Sequence, residues 1–326
     1  MSSVAYIVLS HRDPAQVARL ADRLVRSDPA GQVVVAHDPA AGPLGIATAA
    51  DAGGRIHVRP SSSPRHWGGF GLVSDLLEAI EWALDHLDVG WLAILSGQDY
   101  PLRPLAGYGE ELEASGFDAF VSARRVPFER PPATDSPGLY LDARYYYRWW
   151  PLPRWLLGWA NGRRINGPLS ELIRRFSARQ RWVFVWRLPR GAGDMIGVRR
   201  RRLPFDEAWP CWVGSQWLTM SRTAAEEVRA VLAARPELVS LYRHSIIADE
   251  SLPLTVLCNA SLLRVCFTNH HQIRMTGPGL SHAAILTVDD LPGLRASGKW
   301  FARKFDPAVD TEVLDRLDEE ILAAAG

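Results

Sequence analysis

In "RHSIIADESLPLTVL", residues 243–257, two carboxylates, Asp249 and Glu250, stand side by side between apolar runs. Pro253 has no N–H to donate, so it fits a helix only within its first turn. This predicts a helix start near Asp249, with Asp249 as N-cap and Glu250 favoured by the helix dipole. Leu252, Leu254, Val256 and Leu257 would then pack inward. The same placement holds a carboxylate rigidly enough to take a proton from a substrate. On this stretch alone both readings stay open. A second reactive cluster lies in "SGKWFARKFDP". Of 37 basic residues, only Lys299 and Lys304 are lysine. Where arginine is the default, a lysine marks a site suited to a compact ammonium. Arg199 to Arg202 form a basic run expected on an exposed loop, open to an anion.

The chain that must position these groups has 326 residues, 47% hydrophobic and 22% charged, in the range of ordinary globular proteins. We read it as one domain over 1–326. A nucleotide-binding half spans 1–123, an aromatic-rich insertion 124–205 and an acceptor-side, catalytic half 206–326. A net charge of +1 gives no global field toward nucleic acid, and no nucleic-acid partner is expected. Cys211, Cys258 and Cys266 are odd in number and lack metal-knuckle spacing, which points to a reducing compartment. "MSSVAYIVLSHRDP" is too short for a span and has no basic leader, so the expected location is cytoplasmic.

"VAYIVLS" (4–10), "GQVVVAHD" (31–38), "GRIHVRP" (54–60), "GWLAILSGQDYPL" (90–102) and "GFDAFVSA" (116–123) read as strands, the fourth running into a polar loop. Helices are expected from Asp13–Pro14 onward, over 67–87, 223–238 and 314–324, and after Asp249. "AWPCWVGSQWLTMSR" reads as a strand with a loop at Gly214–Ser215, and "SLLRVCF" (261–267) as a further strand. The alternation predicts an α/β fold: a Rossmann-type, mostly parallel central sheet with helices on both faces. Ligands of such sheets sit at the carboxyl ends of the strands. His11, Asp38, Trp67, Gly97 to Asp99 and Ser122 all follow predicted strands. Neither G-x-G-x-x-G nor G-x-x-x-x-G-K-[ST] occurs, so neither a dinucleotide fingerprint nor a P-loop is supported.

"YYYRWWPLPRWLLGWANGRR" and "RWVFVWRLPR" give the insertion its aromatic and arginine-rich texture. The rings suit a sugar or a flat acceptor, a satellite hydrophobic cluster, or peripheral contact with a membrane surface.

"HWGGFGLVSDLLEAIEWAL", "LSGQDYPL", "GSQWLTMSR", "DESLPLTVL" and "FARKFD" occur in that order. Together they resemble the core-2/I-branching enzymes and peptide O-xylosyltransferases of glycosyltransferase family 14. The likeness runs from about Val4 to Asp315, with a gap over roughly 124–205. It implies a GT-A-like fold and inverting transfer from a UDP-sugar, most often UDP-N-acetylglucosamine or UDP-xylose, without a divalent metal. The family's catalytic base matches Glu250, and its diphosphate-binding lysine matches Lys304, with Arg303 beside it. Asp38 matches the uracil-side aspartate, Val8 a backbone contact there, and Trp67 an aromatic against the uridine. Gly68 and Gly69 would let a backbone approach closely. Gly97, Gln98 and Asp99 are expected to line the sugar or brace the loop. Ser215, Gln216 and Trp217 fall where the acceptor side begins.

The chain's own residues agree with that chemistry. It has no D-x-D motif to hold a metal on a diphosphate, so side chains must meet the leaving charge. Adjacent carboxylates cannot flank one glycosidic bond at the roughly 5–9 Å that hydrolases use, which disfavours a glycosidase pair. The family's second diphosphate-binding arginine has no clear match; by spacing it falls near Ser281–His282, with His282 or Arg274 as substitutes. The lack of an anchor and of disulfides fits a bacterial relative. A carbohydrate or a secondary metabolite is the expected acceptor. A non-catalytic nucleotide-sugar or glycan-binding protein on the same fold is the alternative, and a membrane-surface adaptor a third.

Overall fold

The computed structural model describes residues 3–44, 53–62, 68–127, 141–151, 182–187, 194–277 and 282–323. The sheet begins with β1 (Val4–Ser10), β2 (Gln32–His37), β3 (Ile56–Pro60) and β4 (Trp91–Ser96). These apolar runs lie in the order β3-β2-β1-β4 and pair in parallel throughout. Helix α1 (Pro14–Ser27) connects β1 to β2, and α2 (Gly71–His86) connects β3 to β4. Their apolar residues enter separate cores: Val17, Leu20 and Leu24 on one side of the sheet, Leu76, Ile80 and Leu84 on the other. Asp13 caps α1 by accepting from the Gln16 N–H at 3.2 Å, and Pro14 follows it, as the sequence implies.

After β4 the chain turns at Gly97–Gln98. It forms β5 (Asp99–Pro101), which leaves the main sheet, then α3 (Tyr108–Ala114), β6 (Ala119–Phe120) and β7 (Ala123–Arg125). The insertion contributes α4 (Leu141–Tyr146), β8 (Tyr147–Pro151), β9 (Val183–Arg187) and β10 (Asp194–Arg199), the strands ordered β8-β10-β9. Tyr145, Tyr146, Tyr147 and Trp149 are buried in a third core, so for them the hydrophobic-cluster reading holds. The rest of the tryptophan-rich stretch, 152–181, lies outside the described residues.

Next come β11 (Trp212–Gly214), β12 (Thr219–Ser221), α5 (Arg222–Ala234), α6 (Pro236–Arg243), α7 (Leu252–Asn259) and β13 (Val265–Cys266). The helix expected over 223–238 is two helices, split where Pro236 opens α6 and removes a backbone donor. The full sheet order is β13-β6-β12-β4-β1-β2-β3, with β12 antiparallel to both neighbours and every other pair parallel. The expected α/β architecture, a mostly parallel central sheet with helices on both faces, is the one observed. The last elements are β14 (His271–Ile273), β15 (Met275–Thr276), β16 (His282–Ala283), α8 (Leu291–Ala296), β17 (Phe301–Arg303) and α9 (Glu312–Ala323). Strand β17 lies between β14 and β5 in a three-stranded sheet. No helix among the described residues is long and apolar enough to cross a membrane.

Candidate active site

From β1, the chain winds to β2 and β3 on one side and reaches β4 on the other. A crevice at the carboxyl ends of β1 and β4 follows from that reversal. Ser10 Oγ and His37 Nδ1 share a 2.9 Å hydrogen bond between the carboxyl ends of β1 and β2, and His37 Nε2 meets the Gly42 carbonyl at 2.7 Å. Asp38, half-buried, ends β2 and accepts from the Ala40 N–H at 3.0 Å, closing a short turn. Val8 lies inside the ladder, registered between Val35 and Leu95 and fully buried. Ser10 ends the strand and His11 follows it, as the sequence implies for His11. Gly97 is buried, and a Cβ there would come within 2.6 Å of Val17 Cγ2, so packing against α1 already demands glycine. Trp67 lies outside the described residues.

The small sheet assembles a charged cluster beside this crevice. Register across β5 and β17 sets Asp99 opposite Arg303. Asp99 is fully buried and accepts from the Ser96 N–H at 2.7 Å and the Ser96 hydroxyl at 2.9 Å. Arg303 Nε stands 3.2 Å from Asp99 Oδ1, and its guanidinium lies 4.1 Å from the centre of the Trp217 ring. His271 Nε2 approaches the other Asp99 oxygen at 3.6 Å. Of the two expected roles for Asp99, bracing is the one its contacts fit. Burial pushes the Arg303 guanidinium below its ordinary pKa, while Asp99 and Glu250 pull it back up. Lys304 follows Arg303; its carbonyl accepts from the Leu286 N–H at 2.8 Å.

The Glu250 segment is fixed from three directions. The Ile247 N–H donates to the Gly68 carbonyl at 2.8 Å, tying the segment to the chain entering α2. The Tyr145 hydroxyl donates to the Ile247 carbonyl at 3.1 Å. The Ser251 hydroxyl donates to the Trp212 carbonyl at 2.5 Å. These bonds hold Ile247 at φ 58° and wind Ala248–Glu250 into a single 3-10 turn. Asp249 is therefore not the N-cap expected from the sequence. Ser251 takes that position, Pro253 falls in the first turn, and Asp249 is buried within the preceding turn.

The Glu250 side chain is 38% exposed and receives a hydrogen bond from Arg144 Nη1 at 3.0 Å. Desolvation raises its pKa, and the charges of Arg144 and Arg303 oppose that rise. Glu250 thus feels both arginines, one from the insertion and one from the C-terminal region. Arg144 escapes sequence reasoning, because only the fold brings it to a residue 106 positions away.

Burial, reinforced by the neighbouring Glu250 charge, raises Asp249 to about 7. A carboxyl with a raised folded pKa contributes stability that is complete below its unfolded value near 4. That contribution is lost as pH rises through the folded value. Asp249→Asn removes the ionisable group. It is expected to stabilise the protein at pH 8 by on the order of 2–4 kcal/mol and to do little at pH 4. Thermal melts of both proteins across this range check it; parallel pH dependences would contradict the assignment.

In the segment expected to begin the acceptor side, the Ser215 N–H donates to the Ser122 carbonyl at 2.8 Å and Ser215 Oγ accepts from the Trp217 N–H at 3.2 Å. Gln216 is half-buried, and Gln98 Nε2 reaches the Phe305 carbonyl at 3.3 Å. Several basic residues turn out to be structural. Arg200 donates to the Leu241 carbonyl at 2.8 Å and Lys299 to that of Asn269 at 2.6 Å. Arg274 pairs with Asp290 at 3.1 Å on the surface. Only Arg201 and Arg202 of the basic run fit the exposed-loop expectation.

No family model matches the sequence, and no curated protein does. Among solved structures, one described as a glucose-1-phosphate thymidylyltransferase from Bacillus anthracis, in complex with sucrose, is 9% identical, with a TM-score of 0.37 over 97% of this chain and 94% of that one. HddC from Yersinia pseudotuberculosis is 14% identical, with a TM-score of 0.25 over 39% of this chain and 60% of that one. TarS residues 1–349 from S. aureus are 11% identical, with a TM-score of 0.25 over 45% and 41% respectively. Likenesses at these scores carry no argument, and function rests on the chain's own geometry.

Proposed function

We propose that this protein is an inverting glycosyltransferase that moves a sugar, N-acetylglucosamine or xylose, from a UDP-sugar to a hydroxyl acceptor without a divalent metal. One observation carries the reading. Glu250 is a partly buried carboxylate held by Arg144 at 3.0 Å and within the field of Arg303, the chain neighbour of Lys304. A carboxylate with a raised pKa is a better base than one in water. Glu250 takes the proton of the acceptor hydroxyl as its oxygen attacks the anomeric carbon. The bond from that carbon to the diphosphate breaks on the opposite face. Arg303 and Lys304 receive the leaving negative charge, and Asp99 keeps Arg303 aimed. The uridine belongs over β1 and β2, near Asp38.

Thermal melts with UDP, UDP-N-acetylglucosamine, UDP-xylose and other nucleotide sugars, all in excess EDTA, test this. A UDP-sugar at 100 times its Kd is expected to stabilise the fold by about 2.7 kcal/mol, a rise of several degrees. The absence of any nucleotide-dependent shift would overturn the proposal. Transfer that disappears in EDTA and returns with Mn²⁺ would overturn the metal-free account. Lys304→Ala is expected to reduce the UDP-sugar shift; an unaltered affinity would remove Lys304 from the diphosphate site.

A further inference from the structure

The carboxyl edge of the sheet continues past β4 to β6 and β13, where the exposed chemistry changes. Strand β13 runs parallel to β6, so Phe267, just after it, emerges at the same edge as the crevice. Its side chain is 51% exposed. Trp212 lies beside it, the two rings 5.5 Å apart and tilted by 30°. Arg125, opposite Trp212 in the β7–β11 pair, brings its guanidinium to 5.4 Å from the Trp212 ring. Arg125 also lines a cavity of about 430 Å³ with Val126, Pro127, Glu207 and Pro210. That volume suits one or two sugar rings. Trp212 Nε1 is buried and has no hydrogen-bond acceptor among the described residues.

This shelf is coupled to the proposed base. The Trp212 carbonyl accepts from the Ser251 hydroxyl at 2.5 Å, and Ser251 follows Glu250 directly. The Trp212 N–H donates to Thr255 Oγ1 at 2.9 Å in the helix that follows. The same segment is bonded to Gly68 on the nucleotide side. Glu250 therefore sits on a bridge between the β1–β4 end of the edge and the Phe267–Trp212 shelf.

Resting on the glycosyltransferase reading, we propose that this shelf is the acceptor subsite and that the acceptor is a neutral saccharide. A pyranose has one apolar C–H face and a rim of hydroxyls. The exposed Phe267 ring, backed by Trp212, matches the face. Arg125 and Glu207, with opposite charges, match the rim through paired donors and acceptors. An anionic acceptor would meet Glu207, and an aliphatic one would leave both charged groups without partners. The saccharide lies along the shelf and extends one hydroxyl toward Glu250.

Saturation-transfer NMR tests this on the full chain with lactose, cellobiose and N-acetyllactosamine, each with and without saturating UDP. The expected result is transfer to ring C–H protons of at least one disaccharide. It should fall at least fivefold in Phe267→Ala and be retained in Phe267→Trp. Phe267 is exposed, so both variants keep the parental melting temperature. Transfer that persists in Phe267→Ala, or none to any disaccharide, overturns the subsite. If the nucleotide-sugar melting shift survives either result, the shelf has failed and the glycosyltransferase reading stands. If that shift is absent while disaccharides bind, the reading has failed and the shelf is a saccharide site of another kind.

Discussion

Glu250→Gln is expected to lower transfer by 10²–10⁴-fold, the usual contribution of a general base, with UDP affinity changed by less than twofold. Glutamine keeps the shape of the side chain and an oxygen that accepts from Arg144, so the local fold has no reason to change. What it loses is the capacity to take a proton. The loss must fall on kcat, because the transfer is made only in the transition state. The wild-type rate should also rise with pH as the carboxyl ionises. Because burial raises Glu250 above an ordinary glutamate, that rise should lie at higher pH than for a free side chain. The charge of Glu250 acts on the neighbouring Asp249 carboxyl, so the profile reports the pair rather than one residue. Steady-state kinetics from pH 5 to 9, with calorimetric UDP titrations, check the prediction. Undiminished turnover in Glu250→Gln would remove it as the base.

The parallel strands and the helices between them are legible because hydrophobic runs and 3.6-residue spacing are local signals. The adjacent carboxylates are legible too, yet their geometry is not. Proline placed the helix start correctly to within a turn. The cap went to Ser251 because tertiary bonds to Gly68, Tyr145 and Trp212 fix the chain before the helix begins. A β-branched residue at positive φ, Ile247, is something no local propensity favours. At Gly97, expected to line the sugar or brace the loop, the need for glycine comes from a residue 80 positions away: a Cβ would meet the Val17 side chain of α1, a contact no local pattern announces. Arg144 and His271 are invisible for a third reason. Arg144 sits in an insertion without usable periodicity, and His271 is one of nine histidines. Each gains its surroundings only when distant segments pack.

Arg303→Gln is expected to destabilise the fold by on the order of 3–5 kcal/mol, since it strips a fully buried carboxylate of its cation. Such a loss alone would not separate a structural arginine from one that also meets substrate. The double variant Asp99→Asn/Arg303→Gln separates them. Replacing both charges by amides removes the uncompensated ion, so most of the melting temperature should return. If Arg303 only braces the small sheet, transfer returns with it. If it also stabilises the departing diphosphate, transfer stays about 10²–10³-fold down, as when one preorganised donor is removed from a reacting centre. Paired measurements of melting temperature and kcat on the two single variants and the double complete the cycle. Full recovery of both would confine Arg303 to the fold and leave Lys304 to meet the leaving group.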